Sequence, residues 1–340
     1  AEQFILDHAS LLELESISLE NSLGRILRED LRADRPFPPF DRVTMDGITF
    51  RHADYTGAPL KLQGLHPAGS PDPASLKPGH CWQIMTGASL PPDCDTVVPY
   101  EEVEINEDSA TINCEPTEGI FIHREGSDAP AGTRVLSSGT KIGPAHLGMA
   151  ATIGATELKV TLLPRITVLS TGDELVPPEE TPLPYQLRQS NGLTLAAAVN
   201  AWGPAKVTLA HLADDLESTR TGIEKALAQS DLVILSGGIS KGKKDYVRPA
   251  LESLIGPPIF HGVAQRPGKP FAFWQGVAAL PGNPNSTLTT FQRYLVPLLN
   301  KMVGTGSPPP TNLSLASPIK QHPKLTQFLA AKFTADGKAQ

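Results

Sequence analysis

Cysteine is scarce in this chain, with three residues (Cys81, Cys94 and Cys114) in 340 and no CxxC pair among them. Neither a zinc knuckle nor a full disulfide framework is therefore supported. No apolar run approaches the roughly 18 residues needed to cross a bilayer. The first residues, with Glu2 and Asp7, lack the basic and apolar regions of a signal peptide. Basic charge is also short, at 29 Lys and Arg against 36 Asp and Glu, a net charge of −7. With no Lys/Arg block, general nucleic-acid binding is excluded as an expectation. The nine histidines are scattered and none pairs at metal spacing, so they read as solvated or internally satisfied. Together these absences predict a soluble, cytoplasmic protein with no membrane and no nucleic-acid partner.

What the chain has in quantity is punctuation: 33 Pro and 29 Gly break it into short elements with many fixed turns. At about 150 residues per domain, the length predicts two or three domains. Leu19, Leu23, Ile26 and Leu27 fall at helical spacing, which predicts a helix from an N-cap at Ser18. The Pro36, Pro38, Pro39 cluster then reads as a stiff extended connector. Short β-type runs follow, at Leu60–Leu62, Thr96–Val98 and Ala110–Ile112, separated by Pro/Gly/Asp turns. Residues 144–153 read as helix and Glu157–Leu162 as strand. The resulting division has residues 1–39 and 130–163 as a discontinuous linker domain and 40–129 as a small β-rich insert.

From Arg165 onward the pattern changes. Strands are predicted at Ile166–Leu169, Lys206–Leu209 and Asp231–Leu235. Helices alternate with them at Leu193–Ala201, Leu216–Ala228 and Tyr246–Leu254, and a last helix spans 285–302. Short apolar strands alternating with helices of about ten residues signal a doubly wound, mostly parallel sheet. The fold class is α/β with additional β-rich domains, the α/β domain running over 164–306. Residues 307–340, with a β-like stretch at Leu313–Leu315, read as the start of a further β domain. Phe271–Trp274 reads as strand core.

In open parallel sheets a ligand sits beyond the carboxyl ends of the strands, where strand order reverses. The first strand ends in Ser170, Thr171, Gly172, Asp173 and Glu174. The third ends in Ser236-Gly237-Gly238-Ile239-Ser240-Lys241-Gly242, with Asp245 at the start of a helix. Glycines let backbone N–H groups converge on a phosphate, and the neighbouring acids suggest an intervening Mg²⁺. The plain alternative is that the acids cap helices and the glycines only make turns. A third cluster joins Arg266 and Lys269, around a Pro-Gly turn, to Pro281, Gly282, Asn283 and Ser286. It suits a tetrahedral oxyanion, or it is simply a tight turn with Pro284 at a helix entrance.

Taken in order, these strings resemble one family, the molybdopterin molybdenumtransferases, which include the E domain of gephyrin. The strings are PPFDRVTMDGIT at 38–49, MTGASLPPDCDTVVPYE at 85–101, the series Arg124, Asp128, Gly132, Gly139, Pro144, Gly148 and Gly154, STGDEL at 170–175, GGISKGKKD at 237–245, PGKPFAF at 267–273 and LPGNPNS at 280–286. The resemblance implies that adenylated molybdopterin and molybdate are substrates, and that Mg²⁺ assists release of AMP. By motif it implies catalytic roles for Asp46, Asp128, Glu174 and Asp245, with Glu174 and Asp245 also on the metal. Thr86, Ser170, Thr171, Gly172, Asp173, Gly237, Gly238, Ser240, Gly242, Pro281, Gly282 and Asn283 would bind the pterin substrate. Arg266, Lys269 and Ser286 would bind molybdate. A homodimer with a cleft lined by both chains is implied, and a molybdopterin adenylyltransferase as a further partner.

Three departures from the family pattern stand out. Gln189 replaces an Asp before Ser190-Asn191, Lys241, Lys243 and Lys244 make the glycine loop more basic, and Arg266 replaces a frequent Lys. The α/β part is also similar to molybdopterin adenylyltransferases, which leaves adenylylation and non-catalytic pterin binding as rival readings.

Overall fold

A computed structural model describes residues 1–239 and 245–340; Ser240, Lys241, Gly242, Lys243 and Lys244 lie outside the described residues. The chain divides into two units, one made of residues 1–29, 137–148 and 156–340, the other of 30–136 and 149–155. Among the described residues no helix is long and apolar enough to cross a membrane.

The larger unit is built on strands β1 (Arg165–Thr171), β2 (Lys206–Leu212), β3 (Leu232–Ser236), β4 (Phe260–His261), β5 (Ala272–Trp274) and β6 (Val277–Leu280). They form one sheet in the order β2-β1-β3-β6-β5-β4. The first four in that order run parallel, and β5 and β4 add an antiparallel edge. The helices are α1 (Asn191–Trp202), α2 (Leu216–Gln229), α3 (Val247–Ile255), α4 (Pro284–Thr290) and α5 (Val296–Val303). Each apolar run serves two cores at once. Val168, Ile234, Leu280 and Phe273 pack with Leu195 of α1 and Leu298 and Leu299 of α5. Their neighbours Leu169, Val233, Leu235 and Ala279 pack with Ile223 of α2 and Ala250 and Leu251 of α3. Burial on both faces is why these strands read as continuous hydrophobic runs rather than alternating ones. The doubly wound expectation holds, with the last helix interrupted by a π-helical turn at Phe291–Leu295.

The smaller unit holds a second six-stranded sheet, ordered Thr96–Pro99, Gly47–Phe50, His80–Ile84, Leu60–His66, Ser109–Ile112, Val103–Asn106. Along Gly47–Phe50 the side chains alternate in character. Ile48 and Phe50 enter a core with Leu60, Cys81, Val98 and Ala110. Thr49 faces the other way and donates from Oγ1 to Thr96 O at 2.9 Å. Gly47 is dictated by approach, since a Cβ there would lie 2.0 Å from Val98 O. Burial pushes the thiols of Cys81 and Cys94 up to about 12, so both stay protonated and inert.

One expected element is absent. Where a helix was predicted from Ser18, the chain forms strand Leu14–Ser18, paired antiparallel with Glu157–Thr161, and a 3-10 turn at Leu19–Asn21. Gly24, at φ +79°, then breaks any helical path. Leu23 stays 55% exposed, while Ile26 and Leu27 are buried through single bridges to Lys141 and Val160. The helical spacing of four apolar residues was coincidental, because strand pairing consumes the backbone groups a helix would need. The Leu313–Leu315 stretch likewise yields a single bridge, from Leu315 to Ala339. The strand of that region is Thr326–Gln327, parallel to Gln265–Arg266.

At the amino ends of β1 and β3, Arg165 and Asp231 tie the two central strands together. Arg165 Nη2 donates to Asp231 Oδ1 at 2.7 Å, and the Arg165 N–H to Oδ2 at 2.8 Å. Burial would raise the Asp231 carboxyl, but these bonds outweigh it and hold it below its ordinary range. A depressed carboxyl contributes stability above its unfolded pKa, about 3.9, and loses it as pH falls through the folded value. Asp231→Asn is therefore expected to lower the melting temperature at neutral pH, with the gap to the native chain closing below about pH 4. Thermal unfolding across pH measures it.

Candidate functional site

The strand order places the switch point between β1 and β3, whose carboxyl ends carry the buried hydroxyls of Ser170, Thr171 and Ser236. Three glycine-bearing loops converge there. A Cβ on Gly237 would meet Thr171 Oγ1 at 3.1 Å, one on Gly238 would meet it at 2.9 Å, and one on Gly282 would meet Gly237 Cα at 3.8 Å. Gly172 (φ +132°), Gly237 (φ +95°) and Gly238 (φ +67°) all adopt backbone conformations that side chains resist.

Asn191, first residue of α1, locks these loops. Its Nδ2 donates to Ser236 Oγ at 2.8 Å and to Gly282 O at 2.7 Å. Its Oδ1 is buried and unpartnered among the described residues, and so is Ser170 Oγ. Ser170 Oγ and the Gln189 amide nitrogen both abut Gly192, at 3.1 and 3.3 Å from a Cβ built there. Buried polar atoms are nearly always satisfied, so two unspent ones at a sheet's switch point mark a place for a ligand's polar groups.

The acids of this region have separable surroundings. Asp173 and Asp214 cap each other: Asp214 N–H donates to Asp173 Oδ1 at 3.0 Å, and Asp173 N–H to Asp214 Oδ2 at 3.3 Å. Glu174 is exposed and folds its carboxylate over Gly172, where a Cβ would fall 2.5 Å from Oε2. Asp245, partly buried, stands two residues before α3. No group of three His, Cys, Asp or Glu side chains able to hold a metal ion occurs among the described residues. By donor type alone, the carboxylates of Glu174 and Asp245 suit Mg²⁺, which takes one or two carboxylates and completes its octahedron with phosphate oxygens and water. An oxygen-only pair does not suit zinc.

The cationic turn sits on the same unit. Arg266 and Lys269 are exposed and make no ion pair among the described residues. Phe328 N–H donates to Arg266 O at 2.9 Å, and Val263 N–H to Lys269 O at 2.9 Å. Across the loop after β6, Pro281 is buried and its carbonyl accepts from Thr287 Oγ1 at 2.5 Å. Asn283 is the N-cap of α4, accepting the Ser286 N–H at 3.3 Å. Its oxygen is thus committed to the helix, and so is the Ser286 N–H, while the Ser286 hydroxyl is partly exposed. Ser240 and Gly242 lie outside the described residues.

In the smaller unit, Asp46, Thr86 and Asp128 are all exposed. The Thr86 N–H donates to Asp46 Oδ1 at 2.6 Å, and that bond holds the Asp46 carboxyl below its usual range. Asp128 Oδ1 is 2.9 Å from His123 Nε2, and His123 Nδ1 is 3.2 Å from Arg42 Nη2. Because arginine only donates, Nδ1 accepts and Nε2 carries the proton toward Asp128. Asp41 anchors the same segment by accepting the Glu125 N–H at 2.8 Å. Sequence reasoning missed His123 and Arg42. Their one signal was position: Arg42 stands inside the 38–49 string and His123 directly before Arg124, and the strand pair Arg42–Val43 with Ile122–His123 brings the two together.

An apolar cavity of about 260 Å³ lies elsewhere, lined by Ile26, Trp202, Pro204, Val296 and Val303. It opens at the amino ends of β1 and β2, away from the convergent loops.

Comparison with known proteins gives two family matches: the MoeA N-terminal region (domain I and II) over residues 1–154, and a probable molybdopterin binding domain over 167–301. A molybdopterin molybdenumtransferase of Synechocystis is 39% identical over 293 residues, 83% of this chain and 75% of its own length. Molybdopterin molybdenumtransferase 2 of Mycobacterium tuberculosis is 36% identical over 86% of this chain and 76% of its own. The crystal structure of a molybdopterin biosynthesis MoeA protein from Pyrococcus horikoshii, 32% identical, superposes with a TM-score of 0.77 over 89% of this chain and 78% of its own.

The two polar atoms at the switch point make opposite predictions for folding. Asn191→Ala strands Ser236 Oγ and Gly282 O and is expected to cost about 1–3 kcal/mol. Ser170→Ala removes a hydroxyl with no partner among the described residues and is expected to leave stability unchanged or raised. Urea denaturation of the two variants measures the contrast.

Proposed function

The chain belongs to the molybdopterin molybdenumtransferase family, and from that premise we propose that it inserts molybdenum from molybdate into adenylated molybdopterin with release of AMP, in molybdenum cofactor biosynthesis. The observation that carries the reading is the pair of unspent buried atoms, Ser170 Oγ and Asn191 Oδ1, where three glycine loops meet. A ligand offering both acceptors and N–H donors satisfies them, and a phosphorylated pterin offers both.

In this reading the backbone of Thr171, Gly172, Asp173, Gly237 and Gly238 cradles the phosphates, with Ser170, Pro281, Gly282 and Asn283 lining the same end of the sheet. Converging N–H groups there stabilise negative charge without reorganising. Arg266, Lys269 and the Ser286 hydroxyl hold the molybdate. An oxygen of molybdate or of water bonds to phosphorus of the phosphoanhydride, and the bond to the departing AMP breaks with its electron pair on the AMP phosphate. The two thiols of the pterin dithiolene bond molybdenum and give up their protons, as one molybdate oxygen leaves the metal on that phosphorus or as water. Mg²⁺, held by Glu174 and Asp245 with substrate phosphate oxygens, would supply charge withdrawal from that anhydride. In the smaller unit we assign Asp46, Thr86 and Asp128 to the reaction as well. A homodimer in the cytoplasm, receiving its substrate from a molybdopterin adenylyltransferase, completes the reading.

Incubation with adenylated molybdopterin tests it. Release of AMP that requires molybdate is the expected result; consumption of ATP would mark an adenylyltransferase, and tight binding without turnover a scaffold. Within the same assay Asp245→Ala is expected to lower kcat at least about a hundredfold while changing substrate KM little, since a metal-side acid acts on developing charge. A raised KM at unchanged kcat would remove Asp245 from that role.

A further inference from the structure

Behind the cationic turn lies a group of buried polar side chains that no ligand contact accounts for. Gln265 is 2% exposed, Tyr294 8% and Thr290 0%. A purely space-filling role would be met more cheaply by apolar side chains, because buried amides and phenols must be paired. The pairing here is specific. Gln265 Nε2 donates to Pro267 O at 2.9 Å, and Gln265 Oε1 accepts from Tyr294 OH at 2.5 Å. The Tyr294 ring is itself fixed, stacked on Phe271 with centroids 5.2 Å apart. It stands in the π-helical turn Phe291–Leu295, the one irregularity in the last helix.

The turn rests directly on this group. Gly268 has φ +96°, and a Cβ there would lie 2.5 Å from Gln265 Nε2 and 2.6 Å from Thr290 Oγ1. On the other side the backbone of Gln265–Arg266 pairs with Thr326–Gln327. The peptide between the two cations is thus clamped, and the side chains of the Gln265–Tyr294 pair bond the exposed turn through the Pro267 carbonyl.

We propose that the Tyr294–Gln265 pair is a positioning device for the oxyanion turn: by fixing the Pro267 carbonyl it sets the directions in which Arg266 and Lys269 leave the backbone, and so the affinity for a tetrahedral oxyanion. The proposal rests on the assignment of those two cations to molybdate. Neither Tyr294 nor Gln265 touches the anion. Their effect passes through the turn, and it falls on molybdate alone.

Tyr294→Phe removes the hydroxyl and keeps the stacked ring. It is expected to raise the molybdate KM about fivefold, the worth of one net hydrogen bond, with kcat and the KM for adenylated molybdopterin unchanged. Gln265→Met, which frees the Pro267 carbonyl while filling the same space, is expected to give the same signature. Molybdate binding by calorimetry gives an independent reading that needs no turnover. Lys269→Met serves as the reference, and Tyr294→Phe added to it is expected to have little further effect, because the hydroxyl acts through that lysine. If Lys269→Met raises the molybdate KM and neither positioning variant does, the positioning idea fails and the oxyanion assignment stands. If Lys269→Met leaves molybdate dependence unchanged, the assignment fails and takes the proposal with it. Independent multiplication of the Tyr294→Phe and Lys269→Met effects would also overturn it, showing general loosening instead of action through the turn.

Discussion

Covering both faces of a parallel sheet with helices is the constraint on which the chemistry of the larger unit depends. Once Val168 and Leu169, or Ile234 and Leu235, are committed to opposite cores, the strands have nowhere to display polar side chains except at their ends. The carboxyl ends carry Ser170, Thr171 and Ser236, and the strand order opens a crevice between β1 and β3 at that point. The amino ends are used differently, for the Arg165–Asp231 tie that fixes the two strands against each other. The proposed substrate site and the stabilising tie thus sit at opposite ends of the same two strands.

The convergent loops are precise because each is held by something other than its own sequence. Asn191 bonds a strand end and a loop from two other parts of the chain, and Thr171 Oγ1 packs against two glycines across the switch point. The cationic turn follows the same plan, with Gln265 and Tyr294 beneath it and the Thr326–Gln327 strand beside it. In the smaller unit, Asp46 is held by the Thr86 N–H, and Asp128 by a histidine whose tautomer Arg42 sets. Among the described residues, Asp46, Asp128, Asp173 and Glu174 each have a fixed hydrogen-bonding neighbour or a glycine against them.

Much of this was legible in the sequence. Doubly buried strands announce themselves as apolar runs, and Gly-rich strand ends such as Ser170–Glu174 follow from the topology rule. The motifs carried the family. What sequence could not supply was pairing at a distance. Leu19, Leu23, Ile26 and Leu27 have helical spacing, yet the neighbouring Leu14–Ser18 pairs with a strand some 140 residues later, which local periodicity cannot register. The sequence likewise does not show that the Asp173 carboxylate accepts the N–H of Asp214, 41 residues later. Nothing in the sequence around Tyr294 points to Gln265, its partner 29 residues earlier. His123 was one of nine scattered histidines until strand pairing brought it beside Arg42.

Amide hydrogen exchange with and without adenylated molybdopterin tests most directly whether the strand ends are the substrate site. The account predicts slowed exchange in residues 170–174, 189–192, 236–239 and 280–283, with no change around Pro164, Trp202 and Pro204. Protection confined to the cavity at the amino ends of β1 and β2, with the four strand-end segments unaffected, would contradict it.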